Sequence, residues 1–247
     1  MPLNPAWLEL HRSRFEALPL DCGNDDSPGI VYTPEFRDWS DKATTPDQLR
    51  IERYIDRFAL RSRRVLHVGI GNSGLAKRFS GRVGEIVGTT IDDTDIEVAN
   101  RVAVPGYIFF IHNKYALIPR QLQGKFDFIV ENNPTSACCC ITHLARMFDN
   151  YLAVLAEDGQ IVTDRLGLAW TPPDRNSRWG FDFDDLSALA AAIGLGAWRI
   201  NRNTYVLSKS APARPTASTA LRSVLRRLAR LPGRALNRGR RLVGRRA

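Results

Sequence analysis

Hydrophobic positions along this chain follow two alternating periods. Short, nearly continuous apolar runs fall at residues 65–68, 85–91, 107–111, 126–130 and 160–163. Their length and β-branched content predict buried strands. Between them, apolar residues recur three or four positions apart, at 75–79, at Ile96, Val98, Ala99 and Val102, at 142–155 and at 183–193. That spacing predicts helices with one buried face. Strand–helix units in series predict an α/β fold with a mostly parallel sheet and helices on both faces. Right-handed crossovers then bring the C-terminal ends of the strands to one rim. Two last strands, 197–200 and 204–207, are separated only by Asn201, Arg202 and Asn203. They predict an antiparallel hairpin at the end of the sheet.

Before the first strand, residues 1–60 read as a helical extension. Asn4 before Pro5 predicts one helix start. Thr45, Pro46 and Gln48 predict a second, in capping-box spacing, with Leu49, Ile51, Tyr54, Ile55 and Phe58 on its apolar face. Residues 19–44 read as an irregular connection, 112–124 as a loop, and Asp158–Gly159 as a turn into the fifth strand. The predicted organisation is therefore 1–60, an α/β domain over 61–209, and a basic tail over 210–247.

The chain has 247 residues, enough for one sizeable core. No apolar run is long enough for a membrane span, and the N-terminus has no basic region followed by an apolar core, so a cytoplasmic location is expected. Of four cysteines, Cys138, Cys139 and Cys140 are consecutive and Cys22 is remote. With neither Cys-x-x-Cys nor His-x-x-x-His spacing, the expectation is packing and no metal site. The net charge of +9 is uneven, because eleven arginines and no acidic residue follow position 210, leaving residues 1–210 at −2. A near-neutral body with a cationic appendage argues against a catalytic surface built for nucleic acid.

Candidate chemistry gathers at the first strand. It ends in Gly69, Gly71 and Gly74, with Asn72 between them, and passes straight into a helix. Glycines let the backbone approach a ligand, and the helix start offers N–H donors to a nucleotide. Other candidates follow later strands: Asp92 after the second, Asn113 after the third, Glu131 with Asn132, Asn133 and Pro134 after the fourth, and Asp164 with Arg165 after the fifth. Glu131 and His143 are the candidate general bases. Trp170, Arg175, Arg178 and Trp179 form an aromatic and cationic segment suited to a sugar, phosphate or carboxylate acceptor.

Taken in order, Val65-Leu66-His67-Val68-Gly69-Ile70-Gly71-Asn72-Ser73-Gly74, the strand Phe126-Asp127-Phe128-Ile129-Val130, the Leu155-Ala156-Glu157-Asp158-Gly159 turn and the final hairpin resemble the class I S-adenosylmethionine-dependent methyltransferases. The resemblance covers residues 64–209. It implies a three-layer, Rossmann-like fold, S-adenosylmethionine as cofactor, and methyl transfer, with an oxygen of a glycan or small metabolite as acceptor. It further implies cofactor-binding roles for His67, Gly69, Gly71, Asn72, Gly74, Thr90, Asp92, Asn113 and Glu131. This chain carries His67 and Thr90 where the family usually has acidic residues, and Asn113 near the adenine position. Two other readings stand beside it. The Gly69-x-Gly71-x-x-Gly74 spacing with Asp92 further on also fits an NAD(P)-binding oxidoreductase. The neutral replacements fit a non-catalytic module of the same fold. In the tail, Leu221, Val224, Leu225 and Leu228 recur at helical spacing among arginines. That pattern predicts a basic amphipathic helix for an anionic membrane surface, with nucleic acid as the lesser partner.

Overall fold

A computed structural model describes residues 3–16, 18–23, 42–58, 60–116, 118–134, 138–169 and 180–212. The segment 170–179 and the tail from 213 onwards lie outside the described residues, and with them Trp170, Arg175, Arg178, Trp179 and the proposed amphipathic helix.

Seven strands form one sheet in the order β3-β2-β1-β4-β5-β7-β6. They are β1 (Arg64–Val68), β2 (Glu85–Thr90), β3 (Tyr107–Ile111), β4 (Phe126–Glu131), β5 (Leu155–Asp164), β6 (Gly196–Arg199) and β7 (Thr204–Ser208). The first five are parallel, whereas β7 runs antiparallel to both β5 and β6. The helices are α1 (Pro5–Arg14), α2 (Pro46–Ile55), α3 (Gly74–Phe79), α4 (Asp93–Val102), α5 (Ile141–Val154), α6 (Arg165–Leu168) and α7 (Phe183–Ala192). The predicted architecture is observed, including the reversed last strand.

Two apolar layers sandwich the sheet. One joins Trp7 and Leu10 of α1, Leu144 and Phe148 of α5, and Leu186 and Leu189 of α7. The other joins Ile51 and Ile55 of α2, Leu75 and Phe79 of α3, and Ala99 of α4. The N-terminal helices are thus part of both cores. Burying side chains such as Trp7 and Ile51 stabilises the fold by about 1.5–3 kcal/mol each. Polar links add orientation. Tyr54 donates to Gln160 at 2.6 Å, and Glu52, almost fully buried, pairs with Arg78 at 3.2 Å, tying α2 to β5 and α3. Burial pushes the Glu52 carboxyl up, and the Arg78 guanidinium opposes that shift.

Local expectations meet different outcomes. Asn4 caps α1 by accepting from the Ala6 N–H at 2.8 Å. Thr45 precedes α2 but makes no side-chain cap, and the Gln48 side chain, which would complete a capping box, lies 3.4 Å from His67 instead. Asp158 and Gly159 do not separate a helix from a strand. They lie inside β5, where the register against β4 jumps from Phe126↔Leu155 to Phe128↔Gln160 and the extra residues bulge. Between β3 and β4 the expected loop is found, and among the described residues its one regular element is a 3-10 turn, Arg120–Leu122. No described helix is long and apolar enough to cross a membrane.

Candidate active site

The rim holds the C-terminal ends of β1, β2, β3, β4 and β5. At the end of β1 the chain turns through Gly69 at φ +74° and Gly71 at φ +47°, then Ser73 at φ +56° before α3. Only glycine enters that region without strain, which accounts for the first two glycines. A Cβ built on Gly69 would meet nothing within 4 Å, so this backbone faces open space. The third glycine has a different reason. A Cβ on Gly74 would collide with the Thr44 hydroxyl and with Asn72 Oδ1, so its missing side chain admits the segment leading into α2.

Four of the turn's N–H groups are used within the chain, while those of Ile70, Asn72, Leu75 and Ala76 make no bond to another described residue. Gly69 donates to the Thr89 carbonyl at 2.8 Å, and Ser73 to the Ile70 carbonyl at 2.9 Å. Gly71 donates to Asp95 Oδ2 at 3.1 Å, and Gly74 to Asn72 Oδ1 at 2.8 Å. The Asn72 amide in turn donates to the Lys42 carbonyl at 2.6 Å. Asp95, a residue sequence reading missed, is the hub. It lies buried in α4 and also accepts from Thr90 Oγ1 at 2.7 Å. Thr90 is therefore committed within the protein, its oxygen also accepting from the Asp92 N–H at 3.1 Å. Asp92 caps α4 through the Thr94 N–H at 2.9 Å. The acidic first turn of a helix was the available signal for Asp95, but its partner, the glycine turn, lies 24 residues earlier.

His67 sits beneath the first turn of α2, and its Nδ1 finds no hydrogen-bond partner among the described residues. Burial drops its pKa from 6.5 to about 4, so the ring is neutral at physiological pH. A buried polar nitrogen two residues before an open turn is the kind of atom that a ligand satisfies. After β3, Asn113 turns its carbonyl oxygen onto the Tyr115 N–H at 3.0 Å, while His112 and Lys114 line a small cavity with Leu66, Val68, Thr89 and Tyr151.

Glu131 at the end of β4 is enclosed. It pairs with Lys114 at 3.3 Å, accepts from the Asn133 N–H at 3.2 Å, and accepts a short hydrogen bond from Tyr151. Burial, reinforced by the Glu131 carboxylate, holds the Tyr151 hydroxyl protonated, which fits its role as donor. Lys114 also donates to the Asn133 carbonyl at 2.7 Å, and Asn132 donates to Asp47 at 2.6 Å. The side chain thus binds the loop after β4 to β3 and α5. After β5, Asp164 and Arg165 take separate partners. Asp164, fully buried, takes a bidentate bond from Arg50 at 2.7 Å and caps α6, and Arg165 reaches Asn203 at 3.3 Å.

His143, the other candidate base, lies in the first turn of α5. Its Nδ1 is 3.4 Å from the Cys22 sulfur, 3.2 Å from that of Cys139 and 3.0 Å from that of Cys140. Packing alone was expected of these cysteines, yet their sulfurs and this nitrogen all lie within 4.8 Å of one another.

No family model matches this sequence, and no curated protein matches it. Solved structures do. The chain is similar to DesVI of Streptomyces venezuelae, with 12% identity and a TM-score of 0.51 over 65% of this chain and 91% of that one. A TehB-like S-adenosylmethionine-dependent methyltransferase of Corynebacterium glutamicum aligns at 18% identity and a TM-score of 0.48, covering 65% of this chain and 87% of its own. S-adenosylmethionine-bound CalS10 of Micromonospora echinaspora, an amino pentose methyltransferase, aligns at 14% identity and 0.48, covering 71% and 93%. With its strand order and reversed β7, the chain has the three-layer, Rossmann-like fold of the class I methyltransferases.

Proposed function

We propose that this protein is an S-adenosylmethionine-dependent methyltransferase whose cofactor lies across the ends of β1 and β2. The observation that carries this reading is the turn at Gly69, whose backbone faces open space at the strand ends. An adenosyl amino acid needs such room beside the backbone and a few polar partners. The reversed last strand, β7 against β5 and β6, weighs against the NAD(P) oxidoreductase reading.

Gly69 and Gly71 would admit the cofactor backbone-close, Asp92 and Asn113 would face its ribose and adenine, and His67 Nδ1 would meet a polar group of the ligand. The bound cofactor supplies an electrophilic methyl group. Glu131 acts as a positioning residue, holding the loop after β4 through Lys114, Tyr151 and Asn133. Holding an acceptor in line with the methyl is enough to supply much of the rate enhancement. The acceptor class is an oxygen on a glycan or small metabolite. The protein is placed in the cytoplasm, with the eleven arginines beyond position 210 attaching it to an anionic membrane face.

Calorimetry with S-adenosylmethionine, S-adenosylhomocysteine and NAD(P) tests the reading. Binding of the two sulfur nucleosides alone is the expected result. NAD(P) binding alone would transfer the protein to the oxidoreductases, and binding of none would leave a non-catalytic module. Deleting residues 211–247 is expected to abolish binding to anionic vesicles; unchanged binding would remove the membrane role.

A further inference from the structure

The thiols and imidazole at the start of α5 have no part in the reading above. Cys139 and Cys140 immediately precede the helix, with Cys140 at its N-cap, and His143 lies three residues on, so one turn presents three donor atoms together. The fourth, Cys22, comes from 121 residues before His143. Its segment is laid against the helix start by backbone bonds from Ile141 N–H to the Pro19 carbonyl at 3.0 Å and from Thr142 N–H to the Leu20 carbonyl at 3.1 Å. Thr142 Oγ1 adds a third bond to Leu20 at 2.8 Å.

We propose that Cys22, Cys139, Cys140 and His143 bind one zinc ion in a closed Cys3His site. A tetrahedral zinc with ordinary bond lengths sets sulfur–sulfur separations of about 3.8 Å and sulfur–nitrogen separations of about 3.5 Å. The observed Cys139–Cys140 sulfur separation is 3.9 Å, and the three sulfur–Nδ1 separations run from 3.0 to 3.4 Å. With all four atoms within 4.8 Å of one another, shifts of about an ångström or less bring them into the coordination sphere. Three sulfurs and an imidazole select a soft or borderline ion and disfavour magnesium or calcium. Four protein ligands leave no open position, so the role is structural. Binding releases three thiol protons, and the resulting complex carries a net charge of −1. That charge sits at the N-terminus of a 14-residue helix, where the dipole favours it. The ion would staple the segment after α1 to α5.

Cys138 supplies an internal control. It is adjacent in sequence but turns its sulfur to the Cys140 carbonyl at 3.3 Å and stands outside the cluster. The full chain, purified under reductant without chelator, is assayed for zinc by mass spectrometry, and the stripped chain is titrated with cobalt(II). The expected results are one zinc per chain and the thiolate-to-cobalt absorption of a tetrahedral site. Both are expected to persist in Cys138→Ser and to fall at least tenfold in Cys22→Ser, the ligand farthest from the helix. Wild-type chain that retains no zinc and shows no such cobalt bands would overturn the site. So would a Cys138→Ser variant that loses metal as fully as Cys22→Ser. A chain found instead with its cysteines paired, two hydrogens lighter and metal-free after reduction, would overturn it as well. The wild-type cobalt spectrum decides the matter even where the Cys22→Ser variant does not fold.

Discussion

The turn after β1 and the loop after β4 are neighbours on the rim, with Val68 and Glu131 in register, but they are built in opposite ways. After β1 the backbone folds onto itself, satisfies part of its amides, and leaves open space beside Gly69. After β4 side chains from three other parts of the chain converge: Lys114 and Tyr151 on Glu131, and Asp47 on Asn132. The first arrangement suits a ligand lying close against the backbone. The second makes a cross-linked wall. A rim with one open position and one fixed position can seat a small molecule and hold a second one against it.

The largest expected effect is on the fixed side. Glu131→Ala leaves Lys114 and Tyr151 facing a buried gap and should destabilise the fold by about 3–5 kcal/mol, read by denaturant unfolding. Should Glu131→Gln instead abolish turnover at unchanged stability, Glu131 would belong to the reacting groups and the contrast would fail.

Next comes acid. The unfolded His67 titrates at 6.5 and the folded one at about 4, so the unfolded state binds the extra proton between them. Stability is full above pH 6.5 and falls as pH drops toward 4, by about 3 kcal/mol from this residue. His112, lowered to about 4 by burial, acts in the same direction. Unfolding free energy measured across that window in wild type and in His67→Gln should show a flatter slope for the variant.

On the open side, Gly69→Ala puts a side chain at φ +74° and into the space reserved for ligand. The strain should cost about 1–2 kcal/mol of stability. Affinity for S-adenosylhomocysteine should fall more than tenfold by calorimetry, and unaltered affinity would show that the ligand lies elsewhere. The smallest effect is expected from Asn72→Ala. It removes the acceptor for the Gly74 N–H and the donor to the Lys42 carbonyl, about 1 kcal/mol, with thermal unfolding as the measurement.

Which of these features the sequence discloses depends on how locally they are encoded. The strands and the reversed hairpin are local apolar patterns, and they appear where the periodicity puts them, except that β5 begins earlier, at Leu155. The glycine turn is equally visible, but the use of each glycine is not. Gly74 answers to Thr44, 30 residues away in sequence, and Gly71 to Asp95. Thr45 and Gln48 have the spacing of a capping box, yet a tertiary partner, His67, takes the glutamine. Asp164 takes the paired fork of Arg50, 114 residues away, while its neighbour Arg165 turns to Asn203, and nothing local in the sequence announces either partner. Cys22 shares no spacing with Cys139 and Cys140, so no motif could join them. The short step from Cys140 to His143, one turn at the head of a helix, was the single legible clue.

The reversal of β7 also settles where the described chain leaves the sheet. Thr204 begins the strand opposite Asp164 at the rim, and Ile161 faces Leu207 on the way down. By Lys209, which pairs with Glu157 at 2.7 Å, the chain has reached the opposite end of the strands. The last described residues therefore stand behind the molecule, with the length of the sheet between them and the opening beside Gly69, and that opening is left clear for whatever diffuses in.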